Sequence, residues 1–508
     1  MKNLLIDKKR KFIIALCCIV FFIGITGSGK VKAAKNGVLI SEQDTVSFNN
    51  FLPVSDNITP SLPFIKDSLC FITDSTNSMS AFINELNDLL NGKDTVINIV
   101  HLGDSHIQAG FLSGRTMRLL QNSFGNAGRG WVAPFKLSKV NEPTDYFISS
   151  NIKEWIAGRC VQLRPKCPWG IGGIGIQTEA KDIGFNLIIA PNNGAGYSFN
   201  KIFMYRDYDA YPMVPLNADI DTAFTPGWGY QACENIVVDT FSMTHLVDTF
   251  SIKSVNSMAA KIQQDSLFTK KNKSSTYYGV MLSNSNPGIL YHSIGVNGAK
   301  YKDYTSREYV RRLALLKPSL LIISLGTNES FGKNFSKTEF EMQINSFVHL
   351  VLEEMPGVTL LITTPAESYK RVYRDKKRYF ERNENISKVA DVISSYTKKE
   401  GIACWDLFSI AGGNNSCKKW FDARLFGRDR IHFSRNGYEE QGMLLYKAIV
   451  RSYISAQNSQ FIATEQEEAL DDETVAVSMD MLTSLTTGLV KQDAKTDIES
   501  EEEAGNVE

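Results

Sequence analysis

The chain has 508 residues, which at roughly 150 residues per domain leaves room for about three domains. Apolar residues make up 43%, aromatic residues 11% and charged residues 22% of the sequence. That composition excludes a wholly disordered, collagen-like or polytopic membrane protein. Lysine plus arginine equals aspartate plus glutamate at 55 each, so the formal net charge is zero. A dedicated nucleic-acid binder would carry a basic surplus, and the balance therefore argues against nucleic acid as a partner.

The two ends of the chain carry opposite charge. Residues 1–33 have a net charge of about +6, and their apolar run from Phe12 to Ile25 is followed by small residues near Ala33. This layout predicts a secretory signal peptide, and hence export to the periplasm or cell envelope. An uncleaved anchor is the alternative, and it is the one membrane contact that the sequence predicts. Residues 459–508 carry about −12 and predict an acidic, disordered tail.

Regular structure is expected to begin after a lead-in over 34–75 that is rich in Ser, Thr, Asn, Asp and Pro. A helix is predicted near Ser80, and the nearly continuous apolar run from Thr95 to Leu102 predicts a buried parallel strand. A Gly-Asp-Ser-His turn at 103–106 follows, and a second helix comes after it. We assign residues 76–137 to the first part of an α/β domain.

The pattern changes between 138 and 289. Short runs of strand-forming residues alternate there with turn residues, and no long helical period appears apart from a segment at 254–263. This favours an inserted all-β domain, a sandwich or a jelly roll. Its tryptophans Trp155, Trp169 and Trp228 could stack on sugar faces, although tryptophan in a β-sandwich more often belongs to the core.

Alternation of strand and helix resumes over 290–458. Four short apolar runs predict further strands, at Ile289–Ile294, Ser319–Leu325, Val358–Thr364 and Ile402–Leu407. With the run that ends at Leu102, they give a five-stranded parallel sheet with helices on both faces. The α/β domain is thus predicted in two sequence segments that the β domain separates.

Six cysteines remain beyond the predicted signal: Cys70, Cys160, Cys167, Cys233, Cys404 and Cys417. An even number in an oxidising compartment permits disulfides, and Cys160 and Cys167 are near enough in sequence to close a small loop. The sequence leaves the pairing open. No two cysteines have the spacing of a zinc site, and we predict neither a metal nor an organic cofactor.

Polar segments at 103–106, 326–329 and 429–432 lie at the ends of predicted strands or just before the final helix. In open parallel sheets, sites gather at the carboxyl ends of strands, so these segments are expected to meet. A serine hydroxyl becomes a nucleophile when an imidazole takes its proton and a carboxylate orients that imidazole. Ser105 and His432, with Asp429 three residues before the histidine, predict such an acyl-transfer site.

Acyl transfer also needs donors that are placed to stabilise an oxyanion. The candidates are the backbone N–H of Ser105, the backbone N–H of Gly298 and the side-chain amide of Asn328. Plainer roles compete with these hypotheses, because Ser105 could be a helix N-cap and Asn328 a turn residue.

Three neighbours of these residues are candidates for lining the site. They are Asp104, His106 and Glu329. Asp104 could instead brace the turn before Ser105, and His106 could cap or pack against a helix.

Four blocks therefore occur in a fixed order: Gly-Asp-Ser-His at 103–106, Asn-Gly at 297–298, Gly-Thr-Asn-Glu at 326–329 and Asp-x-x-His at 429–432. In this order they resemble the blocks of the SGNH (GDSL-type) hydrolases. The resemblance implies a flavodoxin-like three-layer fold and a serine esterase mechanism. The four letters of the family name then match Ser105, Gly298, Asn328 and His432, and Asp429 completes the triad. Glu329 departs from the aspartate that the family often has, at a position that usually supports the loop.

The β insert between the serine block and the glycine block is similar to the architecture of peptidoglycan O-acetylesterases of this superfamily, where a carbohydrate-binding-like β domain interrupts the catalytic domain. The stretch from Phe124 to Trp131 resembles exported esterases of that kind. The resemblance implies an esterase that removes O-acetyl groups from peptidoglycan or another acetylated polysaccharide. An O-acyltransferase, a lipid-directed esterase and a non-catalytic glycan-binding envelope protein are the alternatives.

Overall fold

The computed structural model describes residues 32–33, 39–40, 51, 62–190, 196–216, 230–233, 235–254 and 274–459. The predicted signal peptide lies outside the described residues, apart from the strand Lys32–Ala33, which pairs with Leu39–Ile40. The acidic tail, Trp228 and the predicted helical segment at 254–263 also fall almost entirely outside them. Among the described residues, no helix has the length and apolarity needed to cross a membrane.

Five parallel strands form the predicted α/β sheet. Their order across the sheet is Gly288–Gly295, Val96–Gly103, Leu320–Ser324, Thr359–Thr363 and Ala403–Trp405. The central strands are buried on both faces, which is why they read as continuous rather than alternating apolar runs. The prediction of a five-stranded parallel sheet is confirmed.

Helices cover this sheet. The α-helices are Ser80–Leu90, Ser105–Gln108, Phe111–Phe124, Tyr301–Tyr304, Arg307–Leu313, Thr327–Ser330, Lys337–Glu354, Asn385–Glu400, Leu407–Ile410, Ser416–Asp422 and 435–459, with short 3-10 helices at Asp67–Leu69 and Ala314–Leu316. The single helix expected after the serine turn is divided in two. Gly110, with a backbone φ of 72°, separates the short helix that begins at Ser105 from the longer one.

The inserted domain is a β-sandwich. Its strands are Gly130–Val132, Tyr146–Ser150, Ile156–Arg159, Ile174–Thr178, Gly184–Ile189, Phe199–Asp207, Met213–Pro215, Tyr230–Cys233, Ile236–Val247, Thr249–Ser254 and Ser275–Ser283. They form one antiparallel sheet of four strands and one of seven. Apolar side chains from both sheets, among them Ile148, Phe250 and Tyr277, surround a common interior.

The boundary predicted at residue 138 is displaced. The strand Gly130–Val132 lies before it and pairs with Ser275–Ser283, so the β domain begins at Gly130, just after Asn126 has bridged to Ile289 of the parallel sheet. At the other end, the strand Gly288–Gly295 already belongs to the parallel sheet. Local sequence periodicity missed the first strand because three residues are too few to establish an alternation.

Trp155 belongs to the core of the sandwich. It is 6% exposed and stacks on Phe185 with ring centroids 5.4 Å apart. Trp169 packs against Tyr309 of the α/β domain at 5.2 Å, and the hydroxyl of Tyr309 donates to the carbonyl of Ile171. The two domains are therefore in direct contact.

Cys70, Cys160, Cys167, Cys404 and Cys417 are free thiols. The disulfide that the spacing of Cys160 and Cys167 permitted is not formed. Cys167 instead directs its sulfur toward the carbonyls of Ile156 and Gly175, each 3.6 Å away. The surrounding strands thus hold it as a buried apolar residue.

A two-stranded antiparallel hairpin was not expected from the sequence. Its strands are Tyr369–Arg374 and Lys377–Arg382. The turn residues Asp375 and Lys376 both have positive φ angles, 48° and 61°, which is the geometry of a tight hairpin turn. The run of basic residues masked the alternation that normally indicates a strand.

Candidate active site

Ser105 begins the short helix that follows the strand Val96–Gly103. Asp104 occupies the N-cap position, and its Oδ1 accepts the backbone N–H of His106 at 2.9 Å. The N-cap role that we considered for Ser105 therefore belongs to Asp104. The hydroxyl of Ser105 is not used for capping and instead contacts His432.

Ser105, His432 and Asp429 form one chain of hydrogen bonds. Nε2 of His432 lies 2.9 Å from the hydroxyl of Ser105, and Nδ1 lies 2.7 Å from Oδ2 of Asp429. The second carboxylate oxygen of Asp429 accepts the backbone N–H groups of Ile431 and His432, each at 3.0 Å. The backbone thus fixes the carboxylate, and the carboxylate favours the tautomer with a proton on Nδ1 and a free lone pair on Nε2.

The electrostatics of this pair suit proton transfer. The hydrogen bond and charge of Asp429 raise the pKa of His432 above its ordinary value, although burial acts to lower it. Burial alone would raise the pKa of Asp429, but the hydrogen bonds from His432 and the two backbone N–H groups hold it well below its ordinary value. Asp429 is therefore an anion wherever His432 is close to its own titration.

Two of the predicted oxyanion donors have no hydrogen-bond acceptor among the described residues. They are the N–H groups of Ser105 and Gly298. Gly298 is exposed and has a φ of 84°, a conformation that glycine adopts without strain. Neither N–H group is engaged by another described part of the chain, so both remain candidates for an oxyanion site.

Asn328 is close by, but its amide is occupied. Nδ2 donates to Oδ2 of Asp104 and to the carbonyl of Ala299, both at 3.0 Å. An amide nitrogen has two hydrogens, and these two bonds use both. Asn328 can contribute to an oxyanion site only if one of these hydrogen bonds is shared or exchanged.

Asp104 and Glu329 are both buried, and Asp104 lines a cavity together with His106. Asp104 is 0% exposed and Glu329 is 8% exposed. Glu329 Oε1 accepts the backbone N–H of Tyr301, which is how it supports the segment after Gly298. Burial raises the pKa of each carboxyl to about 7.

His106 packs beside the triad. Its ring lies 5.3 Å from that of His432, and its Nδ1 is 2.9 Å from the hydroxyl of Tyr438. Burial lowers the pKa of His106 to about 3, so this ring is neutral at physiological pH. It supports the face of His432 without adding a positive charge to it.

Gln108 holds the turn that carries Gly298, a role that the sequence analysis missed. It is 3% exposed, its Oε1 accepts the backbone N–H of Asn297 at 2.8 Å, and its Nε2 donates to the carbonyl of Asn141. In the sequence, only its position three residues after Ser105 could have indicated this role.

Arg430 was also missed. Its guanidinium carbon lies 4.4 Å from the ring centroid of Phe421, 4.7 Å from that of Phe380 and 5.5 Å from that of Tyr369. Its carbonyl accepts the backbone N–H of Tyr369 at 2.9 Å. These contacts anchor the loop with Asp429 to the hairpin, and they hold Arg430 at a φ of 56°.

No group of three or more His, Cys, Asp or Glu side chains within the described ranges is arranged to hold a metal ion. The hydrogen-bonded chain from Ser105 through His432 to Asp429 has the arrangement that nucleophilic catalysis by a serine requires.

Comparison with known proteins supports the same chemistry. The sequence model of the GDSL-like lipase/acylhydrolase family matches residues 256–440. The matched residues include the glycine, asparagine and histidine blocks. The serine block at 103–106 precedes the β domain and lies outside the matched residues. No curated protein sequence matches this chain.

Several solved structures are similar. A peptidoglycan O-acetylesterase is 18% identical with a TM-score of 0.60, and the match covers 76% of this chain and 99% of that one. A GDSL-like lipase from Bacteroides thetaiotaomicron is 17% identical with a TM-score of 0.25, covering 33% of this chain and 76% of its own. An acetyl esterase is 12% identical with a TM-score of 0.25, covering 34% and 75%.

The fold and the family match define a class: the chain contains an SGNH (GDSL-type) hydrolase domain. More particularly, it is a carboxylic ester hydrolase, whose α/β domain is interrupted by a β domain as in the architecture shared with the O-acetylesterase structure.

Proposed function

We propose that this protein is an exported serine esterase that removes O-acetyl or other small acyl groups from peptidoglycan or another polysaccharide. The observation that carries the proposal is the continuous contact from Ser105 through His432 to Asp429, at 2.9 and 2.7 Å. The shared architecture with a peptidoglycan O-acetylesterase supports the choice of a glycan ester.

In the first half of the reaction, the Ser105 oxygen bonds to the ester carbonyl carbon while Nε2 of His432 takes the hydroxyl proton. The N–H groups of Ser105 and Gly298 donate to the oxyanion of the tetrahedral intermediate. The bond from carbon to the sugar oxygen then breaks, and His432 returns the proton to that oxygen. The products are a free sugar hydroxyl and an acyl group on Ser105.

In the second half, His432 takes a proton from water as the water oxygen bonds to the acyl carbon. The bond to the Ser105 oxygen breaks, His432 protonates that oxygen, and the carboxylic acid leaves. Asp429 stabilises the imidazolium in both halves.

The test is acetate release from acetylated glycans and from a chromogenic acetate. We expect Ser105→Ala to reduce kcat by roughly 10⁴- to 10⁶-fold. Ser346→Ala, on an exposed face of the helix Lys337–Glu354, is the matched control and should retain activity. Wild-type protein that releases no acetate from any of these substrates, or a Ser105→Ala variant as active as the control, would refute the proposal.

Export is supported by the basic start and apolar run of residues 1–33. We expect the full chain expressed in a bacterium to be found outside the cytoplasm with a new N-terminus near Ala33, as determined by mass spectrometry. Full-length protein that remains in the cytoplasm would contradict this part of the proposal.

A further inference from the structure

The hairpin beside the catalytic loop is strongly basic. Residues 369–382 contain seven Lys or Arg residues and only two acidic residues, Asp375 and Glu381. Most of its side chains are exposed, and Tyr373 is 65% exposed. A two-stranded hairpin is marginally stable by itself, so a concentration of like charge on it needs an explanation.

The register of the hairpin divides its side chains between two faces. Residues directly opposite each other in an antiparallel pair share a face, and the pairs alternate between faces along the strands. One face, which we call the arginine–aromatic face, consists of Tyr369, Arg371, Tyr373, Arg378, Phe380 and Arg382. It bears three arginines, three aromatic rings and no carboxylate.

This face is turned toward the catalytic loop. Arg430, the neighbour of Asp429, places its guanidinium over the rings of Tyr369 and Phe380, both members of the arginine–aromatic face. The face therefore adjoins the loop that carries Asp429 and His432.

The charges on this face are not neutralised within the described part of the chain. Among the described residues, no carboxylate lies within 4.0 Å of Arg371, Arg378 or Arg382, and Glu381 pairs with Arg374 on the opposite face. A guanidinium presents a planar fork that matches a carboxylate with two parallel hydrogen bonds. The exposed ring of Tyr373 between such forks offers apolar surface to the C–H face of a sugar ring.

We propose that the arginine–aromatic face binds the polysaccharide next to the ester and selects a glycan that carries carboxylates. This inference rests on the proposed esterase function and specifies, in addition, that the substrate is an anionic glycan. The carboxylates could belong to uronate sugars or to peptides attached to the glycan, and both present the same group to arginine.

Binding is measured first, with the full chain and an unacetylated polyuronate, so that no turnover is needed. We expect the triple variant Arg371→Ala/Arg378→Ala/Arg382→Ala to raise the Kd on the order of tenfold or more. The matched control Lys370→Ala/Lys376→Ala/Lys377→Ala removes the same charge from outside this face and should change the Kd by less than about threefold. The difference should vanish near 1 M salt, where the Debye length is about 3 Å.

Kinetics give the second measurement. Wild-type kcat/KM should be on the order of tenfold higher on an acidic acetylated polymer than on neutral acetylated glucomannan, and the triple arginine variant should lose that preference. Comparing O-acetylated polyuronate with O-acetylated peptidoglycan identifies the source, because the favoured polymer carries the carboxylates that the arginines bind.

The inference is overturned if both triple variants weaken binding equally, or if wild type does not distinguish acidic from neutral polymers. If the triple arginine variant fails to fold, Arg371→Gln/Arg382→Gln replaces it. Failure to release acetate from both the acetylated glycans and a chromogenic acetate would overturn the proposed function instead, and the binding measurement would still decide the inference.

Discussion

At the scale of single residues, the pairing of Asp429 with His432 determines when the base is available. Only neutral imidazole can take the proton of Ser105. Because Asp429 raises the pKa of His432, the neutral fraction falls already at a pH above the ordinary histidine value of about 6.5. As the pH is lowered, activity should therefore be lost at a higher pH than it would be with an isolated histidine as the base.

This gives a prediction for the pH profile. The acid limb of kcat/KM should lie above about pH 6.5, and Asp429→Asn should move it to lower pH while reducing kcat on the order of 10⁴-fold. The measurement is chromogenic acetate hydrolysis between pH 4 and 9. An acid limb that does not move in Asp429→Asn would show that another group sets it.

Asn328 provides a second test at this scale, because its amide bonds Asp104 and Ala299 rather than pointing freely into the site. If the amide exchanges one bond to reach the oxyanion, Asn328→Ala should reduce kcat by roughly 10²- to 10³-fold with little change in KM. The same variant leaves buried Asp104 with one partner fewer, which should cost about 1–3 kcal/mol of stability. Reduced stability with an unchanged kcat, measured well below the unfolding temperature, would assign Asn328 to bracing Asp104 alone.

At the scale of elements, the glycine-rich stretch after Phe124 joins the two domains. Gly130 begins the strand that pairs with Ser275–Ser283, and it lies against the edge strand Gly288–Gly295 of the parallel sheet. A Cβ at Gly130 would lie 2.2 Å from the carbonyl oxygen of Tyr291, and its φ is 73°. The absence of a side chain lets the β domain approach the sheet that carries the site.

We therefore expect Gly130→Ala to lower the unfolding midpoint more than Gly92→Ala. Gly92 has a similar φ of 84° but nothing within 4 Å of its Cβ position. Gly92→Ala should cost about 1–2 kcal/mol from backbone strain alone, and Gly130→Ala about 1–3 kcal/mol more from the clash. Equal midpoints in thermal unfolding would mean that the domain junction adjusts without cost.

At the scale of the whole molecule, buried ionisable groups make stability depend on pH. Burial lowers the pKa of His101, His106 and His292 to about 3. These rings take up protons on unfolding, so their contribution is complete above about pH 6.5 and declines as the pH falls toward 3. Asp104 and Glu329, with pKa values raised to about 7, act oppositely, since their contribution is complete at low pH and is lost as the pH rises through 7.

Near pH 5, the three histidines take up more protons on unfolding than the two carboxyls release. The unfolding free energy should therefore fall as the pH is lowered from about 6.5 to 4.5. His292→Gln should reduce this slope by about 1.4 kcal/mol per pH unit, the value for one proton. Ser346→Ala, which removes no titratable group from the exposed face of its helix, is the control and should leave the slope unchanged. Denaturant unfolding at several pH values measures this slope. A slope that His292→Gln does not change would contradict the contribution assigned to His292.

The sequence by itself determined the two-part α/β domain, the inserted β domain and the four ordered blocks. These features depend on local periodicity and on short motifs at strand ends, which are readable without distant contacts. The nucleophile, base and acid could be chosen in the same way. Their mutual distances remained expectations, because Ser105 and His432 are separated by 327 positions.

Only the tertiary structure decided how neighbours modify these groups. It showed that Asn328 is engaged by Asp104, that Gln108 holds the turn at Gly298, and that the hairpin seats Arg430 against the catalytic loop. Each of these contacts joins segments that are distant in sequence or whose local pattern is ambiguous. Packing, rather than propensity, selects such contacts, and packing is a property of the assembled core.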